Sequence, residues 1–153
     1  MADETPDTGA TENAALQDAL AAEHAAVWGY GVVGAGLPAD GRAGALAGEN
    51  AHRTARDALV ALLAGRGADL VGAQAAYALP FPVVSAVDAA ALAVTLEDGV
   101  ATAWVHVLND AAEADVRQLA VRALGDAEVR AVGWRTRAGQ TPVTRAFPGL
   151  PED

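Results

Sequence analysis

With 153 residues, the chain is long enough for one domain with a full core and too short for two. Its hydrophobic content of 52% leans on alanine, and aromatic residues make up only 5%, a balance that suits close-packed helices better than a sheet. A net charge of −10 argues against nucleic acid or an anionic membrane surface as partner, and the absence of cysteine excludes disulfides and thiolate metal sites.

Residues 1–11 mix Pro, Gly, Thr and acid and predict a disordered acidic tail. This is the opposite of a signal peptide, and no uninterrupted apolar run approaches a membrane span, so the expected protein is soluble and cytoplasmic. A helical period follows through Leu16, Leu20, Glu23, Val27, Tyr30 and Gly34, and "GAGLPAD" ends it. Asp40 is a candidate N-cap for a second helix, whose seam runs Ala45, Glu49, His52, Arg56, Leu59 and Leu63 and closes at "GRG". From Arg66 to Val84 the period breaks, and the two prolines of "AQAAYALPFPVV" favour an extended path.

Ser85-Ala-Val-Asp88 has the form of a capping box and opens a third helix, with Val87, Ala90, Val94, Glu97, Ala101, Trp104 and Leu108 on its seam. Asp110-Ala-Ala-Glu113 repeats that signal, so a fourth helix follows at once. It carries Val116, Leu119, Ala123, Val129 and Trp134 and stops near Gly139. Residues 140–153 read as an extended tail laid along the bundle through Phe147 and Leu150. The expected domain is thus an all-α, four-helix bundle over residues 12–139. Short links join antiparallel neighbours, whereas the long second link lets helices two and three run parallel, the long crossover of ferritin-like bundles. Gly29-Tyr-Gly31-Val-Val-Gly34 matches the G-x-G-x-x-G string of dinucleotide sites, but a helix precedes it and a turn follows, so close helix–helix approach is its expected role.

Three seams carry an acid among apolar residues: Glu23, Glu49 and Glu97. An ionised carboxylate in a bundle core is costly unless it is paired or bound to a metal. At about 1.5 Å of rise per residue, Glu23 lies ~18 Å, and His52 and Glu97 each ~16 Å, from one common end of the bundle. Three independent stretches therefore set polar groups at one level. Di-iron and di-manganese bundles use a single Glu from each of two helices and Glu-x-x-His from each of the other two. Glu23 and Glu97 fit the single slots and Glu49 with His52 fits one pair. Asp126 is the candidate acid of the second pair, but Val129 stands where its histidine belongs.

Arg56 on the Glu49/His52 face and Arg130, one turn beyond Asp126, work against a metal. A guanidinium ~6 Å from a cation costs about 3 kcal/mol per pair of unit charges at an effective dielectric near ~20. The same arginines are suited to neutralise the buried acids, with Tyr30 placed to donate a hydrogen bond into the seam.

"AAEHAAVWGYGVVGA", "HRTARDAL", "AAYALPFPV", "LEDGVATAW", "VRAVGWR" and "AFPGLP" together resemble a ferritin-like domain family of unknown function from high-GC bacteria. The resemblance implies a four-helix ferritin-like bundle, often a homodimer, without an assigned activity. It also implies that Glu23, Glu49, His52 and Glu97 match metal-ligand positions of the wider superfamily, from which Val129 departs. The expected function is a dimeric binding or scaffold module of unassigned activity, in which a buried charge cluster of acids, His52, Arg56, Arg130 and Tyr30 stands in place of a complete di-metal centre. No cofactor and no particular small-molecule ligand is expected. The alternative is an oxidoreductase or iron-handling protein holding iron or manganese on Glu23, Glu49, His52, Glu97 and Asp126.

Overall fold

The computed structural model describes residues 8–151. Four helices account for most of them: α1 (Thr8–Gly36), α2 (Arg42–Gly65), α3 (Ala86–Asp110) and α4 (Ala114–Arg137), with no strand among the described residues. This is the all-α, four-helix architecture read from the periodicity. Helix α1 starts at Thr8, so residues 8–11 of the expected tail are helical and its remainder lies outside the described residues. The capping box at the head of α3 forms: the Asp88 amide donates to Ser85 Oγ at 3.1 Å, and Ser85 Oγ donates to Asp88 Oδ2 at 2.8 Å. Asp40 does not cap α2. That position belongs to Gly41, which makes no side-chain cap.

The helix directions follow from what meets at each end. A Cβ on Gly36 would lie 2.9 Å from that of Ala89, and one on Gly34 would lie 3.6 Å from that of Ala45. The end of α1 and the starts of α2 and α3 therefore share one end of the bundle. At the other end, Arg66 Nη1 donates to Asn13 Oδ1 at 2.6 Å. Glu12, with its carboxylate buried there, accepts the amides of Ala112 and Glu113 at 2.6 and 2.9 Å. Burial opposes its ionisation, yet those two amides and Arg66 hold the Glu12 carboxyl below its ordinary range. Helices α2 and α3 accordingly run parallel, and residues 66–85 travel the length of the bundle between them. Polar atoms on the outer face of α1 hold this crossover: Gln17 Oε1 accepts the Val71 amide at 2.9 Å, and His24 Nε2 donates to the Val71 carbonyl at 3.2 Å. Trp28 adds a tilted contact to Tyr77, with ring centroids 5.7 Å apart.

Helix α1 packs on α2 and α3, and α3 packs on α4. Gly29 permits the α1–α3 approach, because a Cβ there would meet Leu96 Cδ1 at 2.6 Å. Sandwiched on two sides, α3 is long and apolar enough by average composition to cross a membrane, although Glu97 and Asp98 interrupt its apolar run. Half of that stretch is buried inside the bundle, as befits a core helix. The core falls into two apolar blocks. Leu16, Leu20, Leu59, Leu63, Trp104 and Val107 belong to one, and Tyr30, Val33, Leu37, Leu92, Val94 and Trp134 to the other.

The C-terminal tail does lie against the bundle, but not through the residues expected to anchor it. Phe147 is 73% and Leu150 49% exposed. The anchors are Gly149, where a Cβ would lie 2.6 Å from the Ala101 carbonyl oxygen, and Arg135. The buried Arg135 guanidinium donates to Asp98 Oδ1 at 2.7 Å, to Glu128 Oε1 at 2.7 Å and to the Val143 carbonyl at 2.9 Å. One arginine thus ties α3, α4 and the tail together.

Candidate functional site

Between the two apolar blocks lies a layer of ionisable side chains, one from each helix. His52 of α2 is fully buried and stands between Glu23 of α1 and Glu97 of α3. Its Nδ1 donates to Glu23 Oε2 at 2.7 Å, and its Nε2 donates to Glu97 Oε1 at 3.1 Å. Glu23 is also held by Trp104, whose Nε1 donates to Oε1 at 2.9 Å. Glu97 Oε1 takes two more donors, the Tyr30 hydroxyl and Arg130 Nε, the latter at 2.9 Å from α4. The other Glu97 oxygen, Oε2, is buried without a hydrogen-bond partner.

The electrostatics of the layer are set by these contacts. Burial alone would lower the His52 pKa, but the two carboxylates outweigh it and raise the value from 6.5 to about 9. At neutral pH the ring is therefore a cation with both nitrogens donating. Burial would raise the Glu97 pKa, and here His52 and Arg130 win and hold it low. The Tyr30 hydroxyl moves upward, through burial and the neighbouring Glu97 charge, and stays protonated. Two carboxylates, one imidazolium and one guanidinium sum to zero charge, and this is how a layer so deep is tolerated.

The sequence reading set Glu23, His52 and Glu97 at one level and named Tyr30 and Arg130 as members of the cluster, and the structure brings these five side chains into one connected network. Three other residues lie elsewhere. Glu49 turns from the layer and pairs with Arg53 one turn on, where the arginine is 47% exposed. Arg56 is not the counter-ion of the acids: its guanidinium pairs with its neighbour Asp57 at 2.8 Å. Asp126 is exposed on the outer part of α4, beside a cavity. Val129 is 73% exposed, so position 129 faces away from the layer altogether. Val116 and Trp134 of the expected α4 seam are buried, but between them the inward stripe runs through Ala120, Ala127 and Ala131 rather than Val129, and Arg130 flanks it. Trp104 was legible only as packing. It shares the Glu97 face of α3 but lies about 10 Å further along the axis, and only the approach of α1 brings Glu23 to its indole nitrogen.

As a donor set, this arrangement does not fit a di-metal centre. A metal ion takes one imidazole nitrogen and its carboxylates on the same side of the ring. Here Glu23 and Glu97 lie off opposite nitrogens of His52, and Arg130 brings a guanidinium onto Glu97 Oε1 beside the ring. No group of three or more His, Asp or Glu suited to a metal ion occurs among the described residues.

Helices α2 and α4 are not among the closely packed pairs, and a cleft runs between them. Its larger part, about 370 Å³, reaches Glu23 and Trp104 at its floor, with Ala55, Arg122, Asp126 and Arg130 around it. Arg130 separates this from a smaller recess of about 240 Å³ toward Trp134 and Arg137. Its Nε serves Glu97, while its terminal nitrogens carry no hydrogen bond to the described residues. Arg130 thus links the buried layer to the cleft.

No curated protein matches the chain. Among solved structures it is similar to the crystal structure of a conserved hypothetical protein, rv2844, from Mycobacterium tuberculosis. The two are 43% identical with a TM-score of 0.84, over 93% of this chain and 100% of that one. A family model described as a domain of unknown function, DUF4439, matches residues 15–152, and the chain therefore belongs to that family.

Proposed function

We propose that the protein is a metal-independent binding module built on a ferritin-like bundle, with its ion layer serving as a fixed internal support. The observation that carries this reading is the position of His52. A protonated ring fills the space between Glu23 and Glu97, and Arg130 donates at 2.9 Å to the same Glu97 oxygen, Oε1, that His52 contacts. Side-chain cations thus stand where a di-metal bundle keeps its ions. The layer holds no free nucleophile, and its base is already protonated, so acid–base chemistry in the interior has no vacant group to use. The cleft between α2 and α4, with Arg130 at its wall, is where such a module meets a ligand. The homodimer and the cytoplasmic location expected from the sequence belong to the same proposal.

The second reading, a carboxylate-bridged iron or manganese protein, draws on one observation: Glu97 Oε2 is buried and unpartnered, a free oxygen for a cation. Elemental analysis of gently purified protein separates the two, together with melting curves in ferrous or manganous ion. The binding-module reading expects far less than one ion per chain and no shift in melting temperature. A ligand at a hundred times its Kd stabilises by about 2.7 kcal/mol, so even modest binding would register. Near-stoichiometric iron or manganese that disappears in Glu23→Gln would overturn it in favour of the metal protein.

A further inference from the structure

The smaller recess between α2 and α4 has an unusual lining for a chain of net charge −10. Gly44 and Gly48 of α2 face Arg130, Gly133, Trp134 and Arg137 of α4 across about 240 Å³. Two guanidinium groups border it and no carboxylate does. Arg137 makes no ion pair among the described residues and rests over the Trp134 ring, 5.1 Å from its centroid. Arg130 spends only Nε on Glu97. Seven residues, or about 10 Å of helix axis, separate the two arginines. Long side chains rooted that far apart reach one oxyanion from two sides.

The remaining walls are flat. Three glycines leave bare helix backbone, and the native contacts explain only one of them. Gly48 is required by Tyr30, since a Cβ there would lie 2.4 Å from Cε1. A Cβ on Gly133 would meet nothing within 4 Å, and one on Gly44 would be in ordinary contact with Arg137. Glycine inside a helix costs about 1 kcal/mol relative to alanine. At Gly133 that cost keeps the recess open rather than relieving a clash. The volume falls below the ~300–1,000 Å³ typical of sites for drug-sized ligands. One flat ring with an acidic group is the size that fits.

We infer that this recess binds the oxyanion end of a small, flat organic acid, a carboxylate or a phosphate, between Arg130 and Arg137. Charge-assisted, two-pronged hydrogen bonds from guanidinium supply the affinity, and the glycine walls and Trp134 accept the apolar body. The inference deepens the binding-module reading and names the class of ligand.

Isothermal titration of the intact protein with benzoate, phenyl phosphate and inorganic phosphate tests it. Benzoate or phenyl phosphate should bind with a Kd of about 1 mM or tighter, and more tightly than inorganic phosphate; which of the two is preferred identifies the oxyanion. Arg137→Gln should weaken that binding at least about tenfold. Gly133→Leu should abolish it by filling the recess, while the melting temperature holds or rises, because leucine is the better helix former. Equal binding of inorganic phosphate, no binding of any probe, or unaltered binding in Gly133→Leu would each overturn the proposal. Metal content measured on the same preparation keeps the two readings apart. Metal-loaded protein that still binds benzoate defeats metal independence alone, and metal-free protein that ignores all three probes defeats the ligand assignment alone.

Discussion

Discharging His52 should destabilise the fold in a pH range where most folded proteins change little. Its pKa is 6.5 in ordinary surroundings and about 9 in the bundle, because Glu23 and Glu97 favour the charged ring more than burial opposes it. The folded state therefore holds its proton more tightly than the unfolded state. The resulting stabilisation is complete below about pH 6.5 and is lost as the pH rises through about 9. At about 1.4 kcal/mol per pH unit, that interval corresponds to about 3 kcal/mol, a large share of the ~5–15 kcal/mol that holds a typical domain together. Urea denaturation from about pH 6 to about pH 10 measures the loss. Two other histidines, His24 and His106, are present, so the measurement belongs in the double variant His24→Gln/His106→Gln, where His52 is the sole imidazole. Nitrogen-detected NMR gives the same answer directly, since both ring nitrogens should carry protons at neutral pH. A stability that stays flat or rises between about pH 6.5 and 9, or a neutral ring at pH 7, would refute the ion-layer account.

The layer also distinguishes two arginines. Arg130→Leu leaves Glu97 buried with one cation fewer and should cost about 3 kcal/mol in chemical denaturation. Arg56→Leu only breaks a surface pair with Asp57, which is 68% exposed, and should cost under about 1 kcal/mol. Comparable losses in the two variants would contradict the assignment of Arg130 as the counter-ion. Gly48→Ala pushes a methyl group into the Tyr30 ring and should cost about 1–3 kcal/mol by overpacking, measurable as a lowered urea midpoint. If that variant is as stable as the parent, Tyr30 does not lie against α2 as described.

Much of this architecture is written in local chemistry. Periodicity, the Ser85–Asp88 capping box and the two prolines of the crossover divide the chain into four helices with one long link. Each of those features acts over a few residues and needs no partner to be read. The constant rise of a helix did the rest, by putting Glu23, His52 and Glu97 at one level before any contact was known. What periodicity could not settle was rotation. The helices are rich in alanine, so several faces of α4 are about equally apolar, and packing against α3 selected the stripe through Ala127 and Ala131. That rotation brings Arg130 to Glu97 and turns Val129 outward. Glu49 and Arg56 lay on a plausible inner seam, but neighbours along their own helix, Arg53 and Asp57, offered them partners without the cost of desolvation. Glu12, at the first position of the expected bundle, carried no role in the sequence, and the amides at the α3–α4 corner supply one by requiring an acceptor. Buried acids and their depth can be read from one chain segment at a time. Which cation meets them depends on how helices far apart in sequence turn toward one another, and tertiary packing alone decides it.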